Sequence, residues 1–96
     1  MFRKMRGVHV PPDKQGLLFF LCRNYKDLKE EDKERINQLC ELASGGVDVY
    51  RAALFDVLTS KKSVTAISIE HSVGQTKLYE MRREFYETWY KKEAGV

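Results

Sequence analysis

Apolar residues recur at helical spacing through most of this 96-residue chain, and this periodicity constrains its fold more than any other feature. The clearest stripe follows the spacing i, i+3, i+4, i+7 and i+8, which is typical of a helix that buries one face. It consists of Tyr50, Ala53, Leu54, Val57 and Leu58. No segment shows the alternation of apolar and polar residues that a half-buried strand requires. The sequence therefore predicts an all-α fold.

Turn-forming and capping residues divide this pattern into five predicted helices joined by short connections. Pro11 and Pro12 precede the first helix, as is common at helix starts. Asp27, Asp48 and Ser63 are predicted N-caps, because their short side chains accept hydrogen bonds from free backbone N–H groups. The predicted helices span residues 13–25, 29–43, 48–59, 63–71 and 75–91.

These helices are expected to form one compact domain over residues 1–96. The first ten residues, which precede Pro11, are expected to form a flexible basic arm. The residues expected to be mostly buried are Leu54, Leu58, Ile67, Leu78 and Phe85.

Charge is unevenly distributed along the chain. Basic residues predominate in residues 1–26 and 61–96, whereas acidic residues predominate in residues 27–60. The net charge of +3 is too small to indicate a nucleic-acid partner by itself. The distribution fits a domain with one side facing DNA, but charge taken alone favours ordinary scatter over the surface.

Cys22 and Cys40 each lie within an apolar helical pattern, which favours small buried residues in a reducing compartment over an interhelical disulfide. The cysteines and histidines lack the paired spacing of zinc ligands. No secretory signal is expected, because the apolar run from Leu17 to Cys22 is too short, and no apolar run approaches the ~20 residues of a membrane span. We therefore expect a cytoplasmic protein without a membrane segment, a metal or a cofactor.

No group of residues has the spacing of a catalytic site, whether a nucleophile with its base, paired carboxylates or a phosphate-binding loop. Gly45 and Gly46 end a helix rather than forming a nucleotide-binding loop. His71 is expected to be a packed or half-exposed helix residue rather than a ligand or a base. The chain is therefore not expected to be an enzyme.

Residues 63–84 carry the functional prediction. Two helices that cross near a right angle need a small residue at the crossing, a turn residue that tolerates unusual backbone angles, and an apolar residue after it. The small residue at the crossing is Ser68, the turn residue is Ser72, and the apolar residue after it is Val73. Leu78 is expected to return from the second helix into the core.

These residues resemble the helix-turn-helix of transposase-associated, resolvase-like and sigma-factor region-4-like proteins, a group that includes small regulators of bacterial phages and mobile elements. The resemblance covers about a quarter of the chain, over residues 63–84, and many families share the pattern. Ser72 stands where glycine is usual at the turn, and Gly74 stands where serine or threonine usually begins the second helix. The resemblance implies a DNA-binding transcriptional regulator with a C-terminal helix-turn-helix and an extended last helix, over residues 63–91.

The resemblance also places the outward face of the last helix against double-stranded DNA. Arginine and glutamine can read guanine and adenine, whereas threonine, tyrosine and lysine can reach phosphates. Glu80 lies on the same face and opposes nonspecific attraction to phosphates. The expected DNA-binding residues are Gln75, Thr76, Lys77, Tyr79, Arg83, Lys61 and Lys62.

Two alternatives stay open. The same helical scaffold can serve as a non-catalytic protein–protein interaction module. A continuous positive stripe along Lys61, Lys62, Lys77 and Arg83 would favour DNA binding over that function.

The last helix is also rich in aromatic residues, which either the first helix or a second copy of the chain must cover. A homodimer is therefore the alternative to packing within one chain. These aromatic residues are Tyr79, Phe85, Tyr86, Trp89 and Tyr90.

Overall fold

The computed structural model describes residues 3–93, and in this range the backbone forms five α-helices, one 3₁₀ turn and no strand. The elements are α1 (Pro12–Arg23), the 3₁₀ turn (Tyr25–Asp27), α2 (Glu30–Ala43), α3 (Asp48–Thr59), α4 (Val64–His71) and α5 (Gln75–Glu93). None of the helices described is both long enough and apolar enough to cross a membrane. The predicted all-α fold is confirmed, and each predicted helix end lies within about two residues of the observed one.

The core forms where α3 and α5 meet, and each of these helices also packs against the other three α-helices. Leu54 on α3 and Leu78 and Phe85 on α5 have no exposed surface. The five residues predicted to form the core are all buried: Leu54, Leu58, Ile67, Leu78 and Phe85. The outward face of α5 is thereby fixed, because its inward face is committed to the core.

Only one of the three predicted N-caps is confirmed. The Ser63 hydroxyl accepts a hydrogen bond from a backbone N–H in the first turn of α4, at 3.1 Å. The predictions for Asp27 and Asp48 are wrong, since α2 and α3 begin after Lys29 and Val47 without a side-chain cap. The 3₁₀ turn takes up Asp27, and Asp48 is itself the first residue of α3, where its charge still favours the helix dipole.

Residues 3–10, here called the N-terminal segment, pack against the helices rather than forming the flexible arm that the sequence suggested. Gln15 of α1 has no exposed surface, and its side-chain amide forms hydrogen bonds with the backbone of this segment. Its Nε2 donates to the Val10 carbonyl at 2.9 Å, and its Oε1 accepts from the Met5 N–H at 2.9 Å. Because a buried side-chain amide needs hydrogen-bond partners, these bonds hold the backbone of the N-terminal segment against α1. The first two residues of the predicted arm lie outside the described range.

Both cysteines are free thiols and both are buried, as predicted. Burial, together with the neighbouring Cys40, raises the pKa of the Cys22 thiol to about 12. Burial likewise raises the pKa of the Cys40 thiol to about 12. Both residues therefore act as small apolar side chains of the core.

The aromatic residues near the end of α5 are covered from within the chain. Phe85, Tyr86 and Trp89 are buried, and Trp89 lines a depression together with leucines of α1 and Ile36 of α2. The Phe85 and Tyr86 rings also contact each other edge to face, with centroids 6.0 Å apart. Of the two arrangements left open by the sequence, internal packing accounts for this burial.

The buried position of Leu78 gives a direct test of this fold. We expect Leu78→Ala to lower the free energy of unfolding by about 2–5 kcal/mol, because it leaves a cavity where α5 enters the core. Leu42→Ala is the matched control, since Leu42 is 58% exposed on α2 and its loss should cost under about 0.5 kcal/mol. Urea denaturation measures both, and equal losses in the two variants would contradict the packing described.

Candidate nucleic-acid interface

Helices α4 and α5 meet through a tight turn, and residues 68–78 are here called the α4–α5 corner. Ser72 ends α4 with φ 55° and ψ 42°, in the left-handed region, as predicted for the turn. Among the described residues it is the one non-glycine residue with a positive φ. This conformation costs a non-glycine residue about 1–2 kcal/mol, so the surrounding contacts must hold it in place.

Those contacts come from residues on either side of the turn. The Ser68 hydroxyl donates a hydrogen bond of 2.6 Å to the Val73 carbonyl, and the Val73 N–H donates to the Ser68 carbonyl at 3.1 Å. Val73 is 3% exposed and Leu78 is fully buried, so two apolar side chains fill the inside of the corner. The unusual backbone angles of Ser72 and the burial of Val73 agree with the turn and apolar positions predicted for this segment.

A polar network ties α4 to α3 on the other side of the corner. His71 Nε2 lies 3.1 Å from Asp56 Oδ2. Lys62 Nζ contacts two carboxylates, at 3.0 Å from Glu70 Oε2 and 3.6 Å from Asp56 Oδ2. Burial alone raises the pKa of Asp56, but hydrogen bonds from His71 and Ser60 and the charge of Lys62 outweigh it, so this pKa is lowered. The network orients α4 and makes His71 the half-exposed packing residue that the sequence predicted.

The same cluster contains three groups that can ligate a metal ion. Ligand atoms of Asp56, Glu70 and His71 lie within 4.8 Å of one another. The Lys62 ammonium lies within 3.6 Å of both carboxylates and already neutralises part of their charge. We therefore interpret the cluster as an ion-pair network between helices rather than as a metal centre.

The first two turns of α5 expose the residues predicted to face DNA. Gln75 and Thr76 are exposed directly after the α4–α5 corner, and Tyr79 is 47% exposed one turn later. Arg83 follows on the same face, is exposed, and makes no ion pair with residues 3–93. The side chains of Gln75 and Thr76 also make no hydrogen bond within this range, which leaves their polar groups open to an external partner.

The three predicted lysines have different surroundings. Lys61 is exposed and makes no ion pair with the described part of the chain, as a phosphate contact requires. Lys62 is held by the two carboxylates of the network, which compensate its charge. Lys77 is half-buried, and its Nζ lies 5.1 Å from the centre of the Tyr50 ring on α3. Of the four cations expected to form a positive stripe, Lys61 and Arg83 remain exposed and uncompensated.

A surface depression of about 470 Å³, here called the arginine depression, lies beside this face of α5. Its lining comprises Arg6, Val8, Thr76, Tyr79, Glu80, Arg82 and Arg83. Sequence reasoning did not select Arg6 or Arg82. The adjacent arginines in α5 and the basic start of the chain were visible in the sequence, but the packing of the N-terminal segment against α5 was not.

Arg82 is the unusual member of this lining. Its guanidinium lies 5.2 Å from the centre of the Tyr79 ring, a cation–π contact that holds the group but satisfies none of its N–H donors. Its Nε is buried without a hydrogen-bond partner in the described structure. Burial lowers the pKa of Arg82, because desolvation disfavours the charged form. The buried Nε is out of reach from solvent, so an external acceptor would meet this guanidinium through its terminal Nη groups, which are not buried without a partner.

Comparisons of the chain with protein-family models, with curated proteins and with solved structures gave no match. The resemblance of residues 63–84 to a helix-turn-helix therefore rests on the residues themselves.

The left-handed Ser72 provides a test of the corner. Ser72→Gly should raise the free energy of unfolding by about 0.5–1 kcal/mol, because glycine adopts this conformation without a Cβ clash although it gains freedom when unfolded. Ser72→Val should lower the same quantity by more than about 1 kcal/mol, since a β-branched residue tolerates a positive φ poorly. Thermal or urea unfolding measures both. Equal or greater destabilisation by glycine than by valine would contradict a left-handed conformation at this turn.

Proposed function

We propose that this chain is a small helix-turn-helix protein that binds double-stranded DNA, with α4 and α5 as the two helices of the motif. In this proposal α5 is the recognition helix, and its first turns enter the major groove. The observation that carries the proposal is the α4–α5 corner, where a left-handed Ser72 and a buried Val73 are followed directly by exposed polar residues.

The exposed residues of α5 have the chemistry to read base edges. Gln75 supplies a donor and an acceptor that can pair with adenine, and Thr76 and Tyr79 supply hydroxyls. Arg83 lies seven residues after Thr76, about two helical turns further on the same face, where it can bond guanine through two donors. Glu80 on this face disfavours nonspecific phosphate contact, which supports recognition that depends on sequence.

Positive charge next to this face would position the DNA backbone. Lys61 precedes α4 and is exposed without an ion pair in the described range, so it is the favoured phosphate contact among the three lysines. Lys62 and Lys77 would contact phosphates only after giving up the contacts they make within the domain. Their contributions to affinity should accordingly be smaller.

The biological setting follows from the same proposal. The resemblance of residues 63–84 to regulators of bacterial phages and mobile elements supports a role in transcription regulation. The free thiols of Cys22 and Cys40 suit the reducing cytoplasm, in which such a regulator would act. The role proposed is a binding role, and it requires neither catalysis nor a cofactor.

An apolar face on α1 favours a second candidate function. Leu17 is 49% exposed and Phe20 is 53% exposed, and residues three apart lie on the same side of a helix. Exposed apolar side chains placed together are typical of contact sites for other proteins. The chain would then be a non-catalytic protein–protein interaction module that presents α1, and α5 would not contact DNA.

Binding to DNA can be measured by selecting duplexes from a random pool and titrating them at two salt concentrations. Arg83→Ala should lose about 1–3 kcal/mol on the selected sequence and relax the preference for it, because a base contact is removed. Lys61→Ala should weaken binding to selected and scrambled duplexes alike and reduce the salt slope by about one.

Lys29→Ala is the matched control, because Lys29 is exposed far from the proposed interface. The adjacent Leu28 lines a depression with Trp89, and a helix rise of about 1.5 Å per residue places Trp89 about 20 Å from Thr76. Lys29→Ala should therefore bind DNA nearly as the wild type does. Wild-type protein that binds no duplex at low salt would contradict the proposed function and favour the α1 interaction module.

A further inference from the structure

Three guanidinium groups from two parts of the chain converge on the arginine depression. Arg6 comes from the N-terminal segment, and Arg82 and Arg83 come from α5. None of the three forms an ion pair with a carboxylate in residues 3–93. Glu80 is the one acidic residue in the lining, so the depression carries an excess of positive charge.

The donors in this depression suit a tetrahedral oxyanion. A guanidinium group presents parallel N–H donors that match phosphate oxygens bidentately. The Arg82 guanidinium is fixed against the Tyr79 ring, and its N–H groups have no acceptor in the described structure. Arg83 lies beside it and is exposed. An anion in the depression would supply the acceptors that these groups lack.

Arg6 is held near the depression by backbone anchors on both sides of it. On one side the Met5 N–H donates to Gln15 Oε1, and on the other the Val8 carbonyl accepts from Gln15 Nε2 at 3.4 Å. Gly7, with φ 73°, provides the turn between them. The His9 N–H also donates to a glutamate carboxylate of α5, Glu87, at 3.0 Å. Because these bonds already order the backbone around Arg6, binding of an anion there costs little backbone conformational entropy.

The arginine depression is continuous with the proposed recognition face, since Thr76 and Tyr79 line both. A phosphate bound there would therefore lie next to the residues proposed to contact base edges. Contacts to phosphates fix the register of a protein on the duplex, whereas contacts to bases select the sequence. The N-terminal segment would add such a positioning contact from outside the α4–α5 corner.

We propose that Arg6 and Arg82 form a phosphate-binding subsite that takes one phosphodiester group of the DNA backbone beside α5, while Arg83, at the edge of the depression, keeps its donors for a base edge. The ligand named here rests on the proposed function, whereas the convergence of the three arginines does not. A free phosphate offers the same oxygens, so the experiment must distinguish the two sources.

The test compares Arg6→Ala with Lys4→Ala, which removes the same charge from the same segment but at a residue outside the depression. Both residues are exposed, so both variants should retain the wild-type circular dichroism spectrum and melting temperature. In titrations with a selected duplex, Arg6→Ala should lose about tenfold in affinity and lower the salt slope by about one. Lys4→Ala should change affinity by less than about threefold, because it removes only diffuse attraction.

A second arm titrates each protein with inorganic phosphate against sodium chloride at equal ionic strength, and follows the Arg82 Nε–H and Thr76 amide resonances by NMR. Wild type and Lys4→Ala should show saturable shifts with phosphate, and Arg6→Ala should not. This arm does not depend on DNA, so it separates the subsite from the proposed function.

The two arms separate a failure of the subsite from a failure of the proposed function. If wild type binds the duplex and Arg6→Ala and Lys4→Ala lose affinity equally, the subsite is wrong and the proposed function stands. If wild type binds no duplex, the phosphate arm decides: saturable shifts lost in Arg6→Ala support an anion site for free phosphate, and absent shifts overturn the subsite together with the function.

Discussion

Burial of the inward face of α5 is the constraint on which the rest of the structure depends. This helix packs against the other four, and Leu78, Met81 and Phe85 place its inner face in the core. Because α5 is one helix of 19 residues, committing one face to the core determines which residues the opposite face exposes. Thr76 and Arg83 are exposed for this reason, and the proposed recognition surface is a consequence of how the core is packed.

A second constraint acts at the start of the chain, where the buried Gln15 amide bonds backbone groups of the N-terminal segment. Without these bonds a buried amide would lack its partners, at a cost of about 1–3 kcal/mol. Satisfying it holds the backbone of this segment beside α5, so that Arg6 stays exposed but lines the same depression as Arg82 and Arg83. Two basic regions that are far apart in sequence thereby meet beside Thr76, whereas the acidic first turn of α2 lies toward the opposite end of α5.

The sequence predicted those features that depend on local spacing and local backbone chemistry. Helical periodicity placed Leu54 and Leu78 in the core, and the need for a turn residue that tolerates unusual backbone angles pointed to Ser72, whose φ is positive. Features that depend on contacts between distant residues were not predictable in this way. The ion pairs that compensate the charge of Lys62 depend on Asp56 and Glu70, and the position of Arg6 depends on a glutamine that periodicity treats as an ordinary polar residue.

The central claim is that DNA contacts the outward face of α5 next to the α4–α5 corner, and amide chemical shifts during a titration with a selected duplex test it most directly. The account predicts that shifts concentrate in residues 74–83 and in residues 5–8, while the amides of α2 stay unchanged. The same duplex with a scrambled sequence should give smaller shifts in the same residues. Shifts centred on α1 or α2, or no shifts at low salt, would contradict the claim.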